Sequence, residues 1–168
     1  MIRLASALVV LAAIVGKGEA YLSDDLKIPS PGPGWQLQDA VGNAPQLRGA
    51  FTLDHGKTSS IITFALDRKP EVGEAMAYLE KGFGTLSQPP LSFHVIKKEA
   101  DTFKGVPAAR AEYTDADGKR HFAQLVAKFP EGMLVMVIQA PDADVFKDDF
   151  PAFQHATSGV AVGSRKSK

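Results

Sequence analysis

The side chains best suited to chemistry in this chain are four histidines, His55, His94, His121 and His155, together with scattered carboxylates. No two histidines stand at i, i+4, which would place both imidazoles on one helix face. None stand as H-x-H, which would place both on one strand face. A metal site would therefore have to be assembled by the fold from distant residues. His94 and His121 are the candidates for this, because both fall in strand patterns that pairing could bring together. His55 and His155 read as turn or surface residues.

The stretch "EYTDADGKRHF", Glu112 to Phe122, raises a second possibility, a calcium loop. Such a loop wants a carboxylate at its first position, acids or amides at the third and fifth, glycine at the sixth and glutamate at the twelfth. With Gly118 in sixth place, Asp115 and Asp117 fit the third and fifth. Tyr113 and Gln124 then fall on the two anchoring positions, and both fail. The Asp117–Gly118 step reads instead as a hairpin turn, where glycine supplies the positive φ that tight turns need.

Other chemistries lack their residues. The chain has no cysteine, which removes a thiol nucleophile, a thiolate zinc site and a lipidated cysteine. No G-x-S-x-G is present, and "TSGV" (Thr157 to Val160) follows a helical pattern rather than a strand. "PGPGW" (Pro31 to Trp35) carries prolines where a phosphate cradle needs free amides. Asp142, Asp144, Asp148 and Asp149 read as the acidic start of a helix, whose unpaired amides and dipole favour anions. No catalytic residue and no cofactor are assigned, and the expectation is a protein that is not an enzyme.

The first residues carry an address. "MIRLASALVVLAAIVGKGEAY" has Arg3, an apolar stretch from Leu4 to Val15, then Gly18 and Ala20 at the −3 and −1 places of a cleavage site. The apolar stretch is shorter than the ~18 residues of a spanning helix. The expectation is a signal peptide over residues 1–20, cut after Ala20, and a protein delivered to the periplasm or the exterior without a membrane span. A retained anchor and a lumen-like compartment are the alternatives. A formal net charge of +0 supplies no field to draw nucleic acid or anionic membrane. "SRKSK" is the only basic cluster, and residues 161–168 read as a flexible basic tail.

The elements that would position these residues follow from periodicity. Residues 21–32 read as a proline-rich, extended entry segment. Order begins near Trp35, read as a structural residue capping the sheet where linker meets strand. Three strand patterns follow: "WQLQDAV", "QLRGAFTLD" and "SSIITFALD", the last with Ile62, Phe64 and Leu66 on one face. Val72, Met76, Leu79 and Phe83 then recur at helical spacing, with Pro70 and Glu71 in the first turn and Gly82 and Gly84 at the end. Met76 and Tyr78 read as core and rim packing.

Four further strands come next, "SFHVIKKEADTF", "PAARAEYTD", "KRHFAQLVAKF" and "MLVMVIQ". In the second, Ala109, Ala111 and Tyr113 face inward and Arg110, Glu112 and Thr114 outward, a polar face available for interaction. The fourth is apolar on both faces and belongs between two layers. Phe146, Phe150 and Phe153 mark a closing helix, with Pro151 kinking or restarting it and Gly159 ending it. The order βββαββββα predicts an α+β domain over 33–160, a mainly antiparallel sheet with helices packed on it.

That order resembles the PsbP-like fold, an α/β/α sandwich that includes the DcrB-like exported proteins. "PGPGW" resembles the entry to that family's first strand, "FKGVPAARAEYT" its G-x-P-A strand start, "EGMLVMVIQAP" its penultimate strand and "VFKDDFPAFQHATSGV" its closing helix. The resemblance spans about residues 33–160 and implies an exported or lumenal, mostly non-enzymatic protein. The implied role is an accessory module of the cell envelope, its expected partner a protein rather than nucleic acid, acting as a monomer. The alternative is a small-ligand or metal-binding periplasmic protein with a pocket between sheet and helix. The family's common lipidated cysteine is missing, and the short, proline-rich N-terminus offers no evident photosystem-binding arm, so no photosynthetic role is carried over.

Overall fold

The computed structural model describes residues 19–23, 26–39, 47–86 and 92–162. Its core is a seven-stranded antiparallel sheet. Three strands come first: β3 (Gln36–Asp39), β4 (Leu47–Asp54) and β5 (Ser59–Asp67). The helix α1 (Ala75–Leu86) follows. Then come β6 (Phe93–Phe103), β7 (Val106–Asp115), β8 (His121–Phe129) and β9 (Gly132–Ala140), and the closing helix α2 (Ala143–Ser158). Across the sheet the strands run β3-β4-β5-β9-β8-β7-β6. The expected order βββαββββα is the order of this sheet and its helices.

The strand that is apolar on both faces sits at the centre. β9 pairs with β5 on one side and β8 on the other. Leu134, Met136 and Ile138 join Ile62, Phe64, Leu66, Leu125 and Phe153 in a core under α2. Met133 joins Ala109, Ala111, Tyr113, Phe122 and Val126 in a second core under α1, around Ala75 and Leu79. A sheet buried on both faces has no polar face left over its middle, which is why β9 lacks alternation. Two helices on opposite faces make the α/β/α sandwich.

The closing helix forms where its residue pattern placed it. Asp142 is its N-cap, and Asp142 Oδ1 accepts the Val145 amide at 2.9 Å. Phe153 is buried, Phe146 and Phe150 are half-buried, and the helix continues through Pro151 to Gly159.

Several expectations are corrected. The entry segment is not merely extended chain. β1 (Ala20–Ser23), β2 (Leu26–Ile28) and β10 (Ala161–Val162) form a small antiparallel sheet with β2 in the middle. Leu26 and Ile28 are fully buried in the core under α2. A three-residue strand is too short to show a period, and its partner β10 comes from the other end of the chain. For the same reason Ala161 and Val162 are paired rather than part of a tail; residues 163–168 lie outside the described residues. The described strands thus extend from Ala20 to Val162, outside the expected 33–160 at both ends.

The first helix begins later than its stripe implied. Pro70, Glu71 and Val72 precede α1, and Tyr78 donates its amide to Glu74 at 2.8 Å as the helix opens. Gly73 interrupts the stripe, since glycine loses more backbone freedom in a helix than other residues. Gly82 and Gly84 lie within the helix instead of ending it. Thr114, read as outward, is 7% exposed, standing between His94 and His121 in the sheet.

Candidate functional site

α2 packs over β9, β5 and β8, and leaves the α2 side of β7 and β6 partly open. The result is a groove of about 550 Å³ between the helix and the sheet edge. One wall is α2, with Phe150, Gln154, Thr157 and Ser158. The other is the ledge formed by β6 and β7, with Glu99, Phe103, Lys104, Arg110 and Glu112.

Strand alternation sets the ledge. Arg110 and Glu112 share one face of β7 because they are two apart. Pairing puts Glu99 beside Arg110 and Lys97 beside Glu112. Arg110 Nε donates to Asp101 Oδ2 at 2.5 Å, and the Thr102 amide donates to Asp101 Oδ1 at 2.7 Å. The hydrogen bond from Arg110 holds the Asp101 carboxyl below the usual carboxylate range, against the opposing effect of its slight burial. Lys97 donates to Glu99 at 2.9 Å. The Glu99 hydrogen bond and charge, and to a smaller extent the charge of Glu112, hold the Lys97 ammonium above its ordinary pKa, so Lys97 serves both carboxylates.

Lys104 is held in an unusual backbone. It lies at the tip of the β6–β7 hairpin with φ 51°, followed by Gly105 at φ 78°, between the paired Phe103 and Val106. Two successive positive φ values define the two-residue hairpin turn in which Asn-Gly is preferred. A lysine in the left-handed region costs roughly 1 kcal/mol. The turn lifts its ammonium beside the groove, opposite the C-terminal turn of α2.

The histidines read as metal candidates come into one row but not into one site. His94 pairs with Thr114, and Thr114 pairs with His121, so all three side chains share the α2 face. Thr114 stands between the two imidazoles, whose strands are about 10 Å apart, two strand spacings. His121 turns toward α2 instead, its ring 5.7 Å from that of Phe146. Among the described residues no three His, Asp or Glu side chains are gathered to hold an ion.

The hairpin stretch has its own geometry. Gly118 has φ 69°. Its amide donates to the Asp115 carbonyl at 3.0 Å, and Asp115 Oδ1 accepts the amides of Lys119 and Arg120 at 2.9 and 3.1 Å. Asp115 thus spends a carboxylate oxygen on the turn. Asp117 is exposed and pairs loosely with Lys119 at 3.7 Å. Trp35 is 7% exposed and packs in the core under α2.

One constellation had no local signal. His55, at the β4–β5 turn, places Nε2 2.8 Å from Asp149 Oδ2 and 3.3 Å from Ser60 Oγ. Asp149, read as part of an acidic helix start, is 6% exposed, and Ser60 is fully buried. His55 and Asp149 are 94 residues apart, so only the docking of α2 joins them. The three residue types are those of a serine hydrolase, but the arrangement differs. A triad needs the acid on one ring nitrogen and the hydroxyl on the other. Here both meet the same nitrogen, and the serine is sealed from any substrate. An ionised carboxylate at 2.8 Å puts the proton on Nε2, which makes the group a polar clasp between turn and helix.

Elsewhere, Tyr78 donates its hydroxyl to the buried Asp67 at 3.1 Å, joining α1 to the end of β5. Burial, then the Asp67 charge, pushes the Tyr78 hydroxyl pKa far above its ordinary value. No described helix is long and apolar enough to cross a membrane.

No protein-family model and no curated protein sequence matches the chain. Solved structures do. The chain is similar to the cyanobacterial PsbP (CyanoP) from Synechocystis sp. PCC 6803, at TM-score 0.66 and 17% identity, covering 90% of this chain and 96% of that one. It is also similar to PA94 from Pseudomonas aeruginosa, described as of unknown function and a putative regulator. That match has TM-score 0.58 and 13% identity, over 79% of this chain and 92% of that one. A third is LpqN, involved in cell envelope biogenesis of Mycobacterium tuberculosis. Here the TM-score is 0.58 and the identity 17%, over 84% and 87% of the two chains. The chain has the PsbP-like fold.

Proposed function

We propose that this chain is an exported, non-enzymatic accessory module of the cell envelope that engages a protein partner through the groove beside α2. The observation that carries the reading is the composition of that groove. It combines a half-exposed aromatic, Phe150, with charged side chains of both signs from β6 and β7, among them Lys104, Arg110 and Glu112. Recognition surfaces combine apolar anchors with charges that set orientation. The fold is shared with a protein involved in cell envelope biogenesis, which supports the compartment.

A photo-reactive residue at Gln154, exposed on the groove wall, tests the partner in cells. The expected result is one discrete light-dependent adduct. The same residue at Lys81, exposed on α1 across the sheet, is expected to give none. Equal adducts at both positions, or none at Gln154, would sink the reading.

Export has its own test, N-terminal sequencing of the protein recovered from the envelope fraction. Tyr21 is the expected first residue. Ala20 is buried and pairs with Ile28, so that cut removes one residue of β1 and leaves Tyr21 and Ser23 paired with β2. A retained Met1 would instead make the leader an anchor.

A further inference from the structure

β6 is the longest described strand, eleven residues, and forms one edge of the sheet. His94 to Ala100 are exposed, and no described strand pairs with the outer side of β6. Such an edge is a template for another chain. The hairpin tells which backbone groups face outward. Phe103 and Val106 flank its two-residue turn and bond to each other, and bonded pairs then alternate along the strands. Glu99 and Asp101 therefore turn their amides to β7, and Lys98, Ala100 and Thr102 turn theirs outward. Pro107, opposite Thr102, has no amide to give, which suits a pair that does not bond. Beyond Lys98, a register shift between Val95 and Lys97 leaves Ile96 without a partner on β7. The regular outer edge is thus Lys98 to Thr102.

We propose that β6 is a pairing edge for a second copy of this chain, held shut by its own charges, with Glu99 and Asp101 as the residues that keep the chain a monomer. A two-fold pair of antiparallel strands sets one residue opposite its own copy, because bonded and non-bonded pairs alternate. The register centred on Ala100 uses all three outward residues, with Lys98 against Thr102 and Ala100 against itself. It also sets Glu99 directly against Asp101 of the second copy, twice. Like charges directly opposite destabilise a strand pair. Lys97 and Arg110 bond these carboxylates within each copy, but neither cation stands directly opposite a carboxylate in this register. Centred on Glu99, the two glutamates meet, and the third pair needs the bulged Ile96. Lys97 would face Asp101 there, but Asp101 is already engaged. Its Oδ2 holds Arg110, and its Oδ1 accepts the outward Thr102 amide at 2.7 Å. That bond also takes a donor that a partner strand would need. Centred on Lys98 or on Asp101, those residues meet their own copies. The reading is independent of what the groove binds.

Light scattering of the purified protein tests it by charge exchange. The wild-type chain is expected to be a monomer. Glu99→Lys sets a lysine opposite Asp101 of the second copy, twice, and Asp101→Lys sets one opposite Glu99. Each single variant is expected to self-associate at least about ten-fold more tightly than the wild type. The double variant Glu99→Lys/Asp101→Lys sets lysine against lysine and is expected to return to the monomer. Either single variant suffices if the other does not fold. The chain has no cysteine, so Ala100→Cys supplies a unique thiol. In the Glu99→Lys background it should form a disulfide between copies, since facing residues of a bonded pair lie ~5.5 Å apart at Cα.

Folded single variants that stay monomeric overturn the proposal. So does a double variant that associates as tightly as the single ones, because charge would then not be the guard. A wild-type chain that dimerises and cross-links through Ala100→Cys overturns it as well, since the edge would then be open. Dimers that resist that cross-link would place the contact elsewhere and reject β6.

Discussion

Replacing Gly132 with alanine is expected to destabilise the protein by at least about 3 kcal/mol, a large share of a domain's total stability. Gly132 opens the central strand β9 at φ 142°, a conformation that side chains rarely adopt. A Cβ there would lie 2.3 Å from the Asp67 carbonyl oxygen and 2.9 Å from the Arg68 Cα. Both atoms belong to backbone, so no side chain can turn aside to make room. Asp67 is further fixed by its bonds to the Lys69 amide and the Tyr78 hydroxyl. The cost is read from urea unfolding, as a fall in midpoint at constant slope.

Gly118→Ala is the matched control. That glycine also has a positive φ, 69°, but nothing lies within 4 Å of the added Cβ. It should cost only about 1 kcal/mol, the backbone penalty without the collision. Equal losses in the two variants would show that conformation alone governs Gly132, and that β9 and the end of β5 are not in close contact there.

Much of this architecture was legible in the chain because its signals are local and repeated. "MLVMVIQ" could only be a strand covered on both faces, and β9 is the middle strand of seven. Phe146, Phe150 and Phe153 marked the inner side of α2, and Asp142 its cap. Gly118 marked a turn, because the positive φ it supplies is a single-residue requirement. These features each live within a dozen residues.

What escaped was long-range. β2 has three residues, and the strands beside it begin at Ala20 and Ala161, so no window of sequence holds the sheet. Thr114 is polar and alternates with buried residues, yet it is itself buried between His94 and His121, neighbours from other strands that the alternation of its own strand does not show. The groove is of the same kind. Arg110 and Glu112 were visible as a polar strand face. Their opposite charges, Asp101 for Arg110 and Lys97 for Glu112, come from another strand, and the aromatic wall from a helix. Which charges meet can be known only after that pairing is fixed.

The pairing of His55 with Asp149 is the sharpest instance, and its removal is the second large effect expected. His55→Ala should cost about 3 kcal/mol. The loss is not mainly that of one hydrogen bond. Asp149 is 6% exposed, and His55 is the partner holding its carboxylate, so the variant leaves a charge in the interior without a counterpart. The fully buried Ser60 hydroxyl loses the same nitrogen. Asp149→Asn should cost less, because an amide oxygen still accepts from Nε2 and no buried charge remains. Asp149→Ala should fall between them, since the His55 side chain is 27% exposed and can turn to water. The double variant His55→Ala/Asp149→Ala should then be no worse than His55→Ala alone, a coupling of about 1–3 kcal/mol in a double-mutant cycle. Additive losses would mean that the two side chains act separately and that α2 is held by its phenylalanines alone. Because Asp149 and Phe150 are neighbours on α2, loosening this clasp should also lower the Gln154 adduct expected under the proposed function, without any change to a groove residue.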